Sequence, residues 1–152
     1  MKYLTKDFDW INASFGLKEF IPKETWDKYQ EKSYQFVSHF QVNLAHLVLK
    51  LANKAVYINT WSYSKNGNNY RGYRPPNCKV GAKFSLHKSS DALDFNVEGM
   101  TTRDVHKLIF DNHNAFWGVG VRRIEHAAHT VTWVHADNKE TPGQTKILVF
   151  KP

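Results

Sequence analysis

The chain has 152 residues, is 41% hydrophobic and 23% charged, and carries a formal net charge of +7. That length and composition describe one folded domain able to bury its own core, and an aromatic share of 14% excludes a disordered chain. The basic charge predicts attraction to an anionic partner such as nucleic acid, lipid headgroups or bacterial wall polymer. The lysines and arginines are scattered, however, so a solvated basic surface accounts for them equally well.

Residues 1–22 show no sustained period. Their apolar residues Phe8, Trp10, Ile11, Phe15, Leu17, Phe20 and Ile21 predict an arm wrapped on the domain. After Pro22, the run 23–27 reads as the start of a short helix. Across 33–53, Phe36, Phe40, Leu44, Val48 and Leu51 recur every three or four residues, which predicts a helix with one apolar face. His39 and His46 on that helix are seven apart, not at the i, i+4 spacing of a helical metal pair, and read as structural or exposed.

Residues 55–61 read as a strand, 64–69 as a turn, and 70–84, with two prolines and two glycines, as a long irregular loop. Residues 91–97 alternate: Leu93, Phe95 and Val97 on one face, Ala92, Asp94 and Asn96 on the other. Thr101 with Asp104 makes a helix cap, and Val105, Leu108 and Ile109 give the helix that follows its apolar side, ending near Asn112 or Asn114. Residues 116–121 read as a strand candidate and 130–137 as another, with Val131, Trp133, His135 and Asp137 sharing a face. Pro142-Gly143 turns the chain into a last strand over 146–150. Helices first and mostly antiparallel strands after them predict an α+β domain.

The single cysteine, Cys78, excludes an internal disulfide and a cysteine-built zinc site. No charged-then-apolar leader is visible and no apolar run approaches the length of a membrane span. The expectation is a protein made in the cytoplasm without a signal peptide and without membrane insertion.

The residues that carry chemistry are His87, Asp94 and His135. Two neutral imidazoles and one carboxylate suit zinc and leave its fourth position open. Such a donor set keeps the ion near a net charge of +1, enough to acidify a bound water. The parity of the two alternating runs lets Asp94 and His135 face one another if the strands are neighbours.

Ser85-x-His87, Ala92-x-Asp94 and Trp133-x-His135, with Gly72-Tyr73-Arg74 upstream, together resemble the zinc D-Ala-D-Ala peptidase family. That family includes D,D-carboxypeptidases and phage endolysins and shares its fold with the hedgehog signalling domain. The resemblance covers about residues 57–137. It implies Zn²⁺ on His87, Asp94 and His135, with Arg74 and Ser85 near the substrate. It also implies a hedgehog/D,D-peptidase-like fold of N-terminal helices packed on a small sheet. Residues 1–54 would form the arm and helices and 55–152 the zinc peptidase-like core of one domain, 1–152.

The chain departs from the family pattern in three places. The glycine between the first histidine and the alanine is Ser90, the loop from Arg74 to His87 is short, and Thr132 stands where several members carry the acidic base. Threonine cannot take a proton from water at neutral pH. Candidates for the base are Asp137, which shares the face of His135 or else orients it, and Glu125, His126 and His129 in the turn before.

The resulting expectation is a zinc metallopeptidase acting on peptidoglycan peptides, of the kind a phage encodes as a lysin or virion-associated wall hydrolase. Two rivals stand beside it. One is a non-catalytic zinc-binding module of the same fold. The other is a basic nucleic-acid-binding protein, whose affinity would fall steeply with salt. Oligomeric state is not legible in the sequence.

Overall fold

A computed structural model describes residues 1–10 and 13–152. The predicted arm residue Ile11 lies outside them. The helices are α1 (Lys23–Tyr29), α2 (His39–Ala52), α3 (Thr102–Asp111) and α4 (His113–Gly118). The strands are β1 (Val56–Tyr57), β2 (Ala92–Val97), β3 (Arg123–Glu125), β4 (Val134–Asp137) and β5 (Leu148–Phe150). They form one sheet in the order β1-β2-β4-β3-β5, antiparallel except that β3 and β5 run parallel. The domain is therefore α+β.

Alternation gives the sheet two unlike faces. Leu93 pairs with Ala136 and Phe95 with Val134, while Ile124 joins Ala136 from the other side. All five are buried, on the face that meets α2 and α3. Burying one such phenylalanine contributes about 2–3 kcal/mol. The next residues along each strand, Asp94, His135, Asp137 and Arg123, point the other way, and this polar face carries the candidate site.

Helix α2 starts six residues later than its apolar period predicts. The cause is Ser38: its Oγ accepts from the Gln41 amide, and the Gln41 side chain accepts from the Ser38 amide. That reciprocal cap fixes the first turn at His39. Residues 30–36 form a 3-10 segment instead. The Thr101–Asp104 cap of α3 forms as the sequence predicts.

Two expectations are corrected. The strand candidate at 116–121 is helix α4 and a turn, with Phe116 fully buried. The three-residue strand β3 instead lies at 123–125, so Glu125 is on a strand and not in a turn. The remaining predicted strands are shorter than their apolar runs, and β4 begins only at Val134.

The arm is tied on by Leu4 N donating to Val37 O and His39 N donating to Lys2 O, and it buries Leu4, Phe15, Leu17, Phe20 and Ile21. The loop at 70–84 has no helix or strand, yet its first part is stitched to the core. Tyr73 N donates to Phe20 O, Arg74 N to His87 O, and Asp94 N to Arg71 O.

Candidate metal centre

His87 sits in a 3-10 turn, Leu86–Ser89, just before β2. Ser85 caps this turn, its Oγ accepting from His87 N at 3.4 Å. Ser90 ends it in the left-handed region, φ 59°. This is the position where the resembled pattern has glycine. A left-handed serine costs about 1–2 kcal/mol of backbone strain, offset here by Ser90 Oγ donating to Phe36 O and Ser90 O accepting from Ser38 Oγ at 2.6 Å. The turn drops the imidazole onto the polar face of the sheet, where His87 is 1% exposed.

Asp94 and His135 are directly paired across β2 and β4, so their side chains emerge side by side. Asp94 Oδ1 lies 2.7 Å from His135 Nδ1 and 3.2 Å from His87 Nε2, and the two ring nitrogens are 3.3 Å apart. Three donor atoms from three separate segments thus converge on one point, and they form the one cluster among the described residues suited to hold a metal ion.

The atoms behind these donors set their chemistry. His87 Nδ1 donates to Gly72 O at 2.7 Å, which turns Nε2 toward the centre. Gly72 must be glycine, since a Cβ there would lie 2.1 Å from Phe20 O. His135 Nε2 faces Asp137 Oδ2 at 3.4 Å, which frees Nδ1 for the centre. Asp137 is fully buried and clamped by Arg123, whose Nε and Nη2 donate to its two oxygens at 2.9 and 2.7 Å. Lys139 N also donates to it, at 3.1 Å. Arg74 Nη2 donates to Asp94 Oδ2 at 2.9 Å and its Nε to Tyr70 O, so Asp94 keeps Oδ1 for the centre.

Burial alone would raise the Asp94 carboxyl. The charge of His87 and the hydrogen bonds from both histidines overcome it and hold Asp94 ionised well below the usual carboxylate range. Burial works against charge on His135 too, but hydrogen bonds to Asp137 and Asp94 push it up to about 9. In Asp137, burial is outweighed by His135 and Arg123, and its carboxyl is lowered. Asp94 and Asp137 thus stand on either side of the His135 ring and favour its protonated form.

The centre opens into a cavity of about 530 Å³. Its wall is apolar at Phe84, Trp133 and Phe150 and cationic at Arg74, Arg123 and Lys139. Ser85 and Glu125 line it as well. His129 is exposed and lies outside the cavity lining, as does Thr132. His46 packs its ring on Phe15, away from the centre. The contributions of Gly72 O and Arg123 are not legible in the sequence. A backbone carbonyl leaves no residue-type signal, and a three-residue strand is too short to show the alternation that sets Arg123 on the polar face.

Comparison with family models, with curated proteins and with solved structures finds no match to this chain.

Proposed function

We propose that this protein is a zinc-dependent peptidase that hydrolyses amide bonds in peptidoglycan peptides, of the phage-lysin or virion-associated kind. The observation that carries the reading is the donor triangle of His87 Nε2, Asp94 Oδ1 and His135 Nδ1. A tetrahedral zinc with bonds near 2.0–2.1 Å sets its ligand atoms about 3.3 Å apart. Two sides of the triangle, 3.2 and 3.3 Å, have that length. The third, between Asp94 Oδ1 and His135 Nδ1, is 2.7 Å and is shorter than that spacing. Two imidazole nitrogens and a carboxylate oxygen are ligands zinc accepts, and all three residues line the cavity, from which a water or substrate atom would complete the set.

When bound, zinc would polarise the scissile carbonyl and make water a better nucleophile near neutral pH. The chain's own residues supply the frame. Arg74 holds Asp94 in place, Gly72 O and Asp137 select the ring tautomers, and Ser85 fixes the turn that carries His87. Lys139 on the cavity wall, beyond the paired Arg74 and Arg123, suits the free carboxylates of wall peptides, and the +7 net charge suits an anionic wall.

The test is incubation of the zinc-loaded protein with purified cross-linked wall fragments. Cleavage should yield one new amine and one new carboxylate per event, stop on chelation, return with zinc and be absent in His135→Ala. No cleavage by zinc-loaded protein over a wide pH range would overturn the reading. A second reading, a non-catalytic zinc-held module, is favoured by Thr132, which puts no carboxylate into the cavity. Full zinc occupancy with no hydrolysis is its signature.

A further inference from the structure

We infer that Glu125 is the catalytic base of the centre, presented from the neighbouring strand and not from the strand that carries His135. The inference rests on the peptidase reading above. The acid–base candidates that the sequence offers differ in kind in their surroundings. His126 and His129 are exposed and outside the cavity. Asp137 lies in the cavity wall, but both its oxygens are engaged by Arg123, the Lys139 amide and His135. A carboxylate held by that many donors is a poor proton acceptor. Glu125 lines the same cavity and, among the described residues, its carboxylate has no hydrogen bond or ion pair.

Register explains how Glu125 reaches the centre. Arg123 pairs with Asp137 and Ile124 with Ala136. One step further along that ladder, Glu125 stands across from His135, on the same polar face as Asp94 and His135. Directly opposed residues have Cβ atoms about 5 Å apart. A glutamate side chain spans most of that gap, so its carboxylate reaches a water beside the metal ligands. The absence of an acid at Thr132 is thereby answered by a different strand.

The step balances without any further reactant. A Glu125 Oε accepts a proton from the attacking water as its oxygen bonds to the scissile carbonyl carbon. The carbon–nitrogen bond then breaks, Glu125 returns the proton to the leaving amine, and the carboxylate is ionised again.

The experiment compares wild type, Glu125→Gln and Glu125→Asp, each loaded with zinc to equal stoichiometry. Glu125→Gln keeps shape and breaks no existing contact. We expect its kcat to fall about 10²- to 10⁴-fold with KM within about threefold, and the acidic limb of its pH–rate profile to vanish. Glu125→Asp should recover part of the rate. Independently of turnover, the ¹³C resonance of the Glu125 carboxyl, assigned by its loss in Glu125→Gln, should move when zinc is added to the metal-free protein. An active wild type with an equally active Glu125→Gln overturns the role of Glu125 alone, as does a resonance that zinc leaves in place. A zinc-loaded wild type that cleaves nothing overturns the peptidase reading itself, and the base with it.

Discussion

Replacing Asp137 by asparagine separates orientation from catalysis at this centre. The change is nearly isosteric, but it removes the charge that Arg123 grips at 2.9 and 2.7 Å and that faces His135 Nε2 at 3.4 Å. Two losses follow. The His135 ring is no longer held with Nδ1 toward the centre, and loss of such an orienting carboxylate weakens metal binding about 10- to 100-fold, or about 1.4–2.7 kcal/mol. The Arg123 guanidinium also loses its partner. Breaking a fully buried pair costs about 3–5 kcal/mol. The Arg123 side chain is 19% exposed and Asp137 0%, so water offsets part of this and about 2–4 kcal/mol is expected. Zinc affinity is read by competition with a chromophoric chelator, and stability by urea denaturation of the metal-free protein. Adding Arg123→Met to Asp137→Asn should restore much of the stability but not the zinc affinity. If Asp137→Asn binds zinc within about twofold of wild type while hydrolysis is lost, the orienting role is refuted and Asp137 is the base.

Three further outcomes follow from the same contacts. In metal-free protein the raised His135 value means its ion pairs stabilise fully below about 6.5 and cease to do so as pH rises through about 9. The contribution is on the order of 3 kcal/mol, so urea midpoints should fall across that window, and a flat profile would contradict the charge assignment. Asp94 and Asp137 act with the opposite sign, adding stability that disappears as acid protonates them. Gly81→Ala places a Cβ 2.5 Å from Arg74 Nη1 at a residue with φ +78°. It should cost about 1–2 kcal/mol of stability and loosen Asp94, seen as weaker zinc binding in the chelator assay; unchanged affinity would show that Arg74 does not hold the ligand. Ser38→Ala removes both the α2 cap and the bond to Ser90 O behind the His87 turn. It should destabilise the fold by about 1–3 kcal/mol in urea titrations, and a loss under about 0.5 kcal/mol would show that the cap does not set the helix start.

What the sequence discloses about this protein follows its periodicities. Strand β2 is long enough to show strict alternation, so Leu93 and Phe95 read as core and Asp94 as their opposite. His135 then comes beside it because β4 pairs with β2 in a register that conserves faces. Strand β3 is only three residues long and carries no readable period, so Glu125 looks like a turn residue. The run 116–121 mixes aromatic, aliphatic and glycine residues in a way that mimics a strand, but the Ala115 and Phe116 amides donate to Asn112 O and its first half, with Phe116 buried, continues helix α4. The α2 boundary is decided by a side-chain cap at Ser38, which overrides the apolar repeat reaching back to Phe36. The clamp on Asp137 by Arg123 spans two strands, and pairing across strands is tertiary information that neither residue type nor spacing carries.

X-ray absorption at the zinc edge reads the ligand set of the bound ion itself. Protein carrying one zinc per chain should show a shell of nitrogen and oxygen scatterers at about 2.0–2.1 Å with imidazole multiple scattering from two histidines. In His135→Ala the zinc should be lost or should show a single imidazole. A sulfur scatterer near 2.3 Å would place the metal on Cys78, and an unchanged spectrum in His135→Ala would place it elsewhere; either result would contradict the centre at His87, Asp94 and His135.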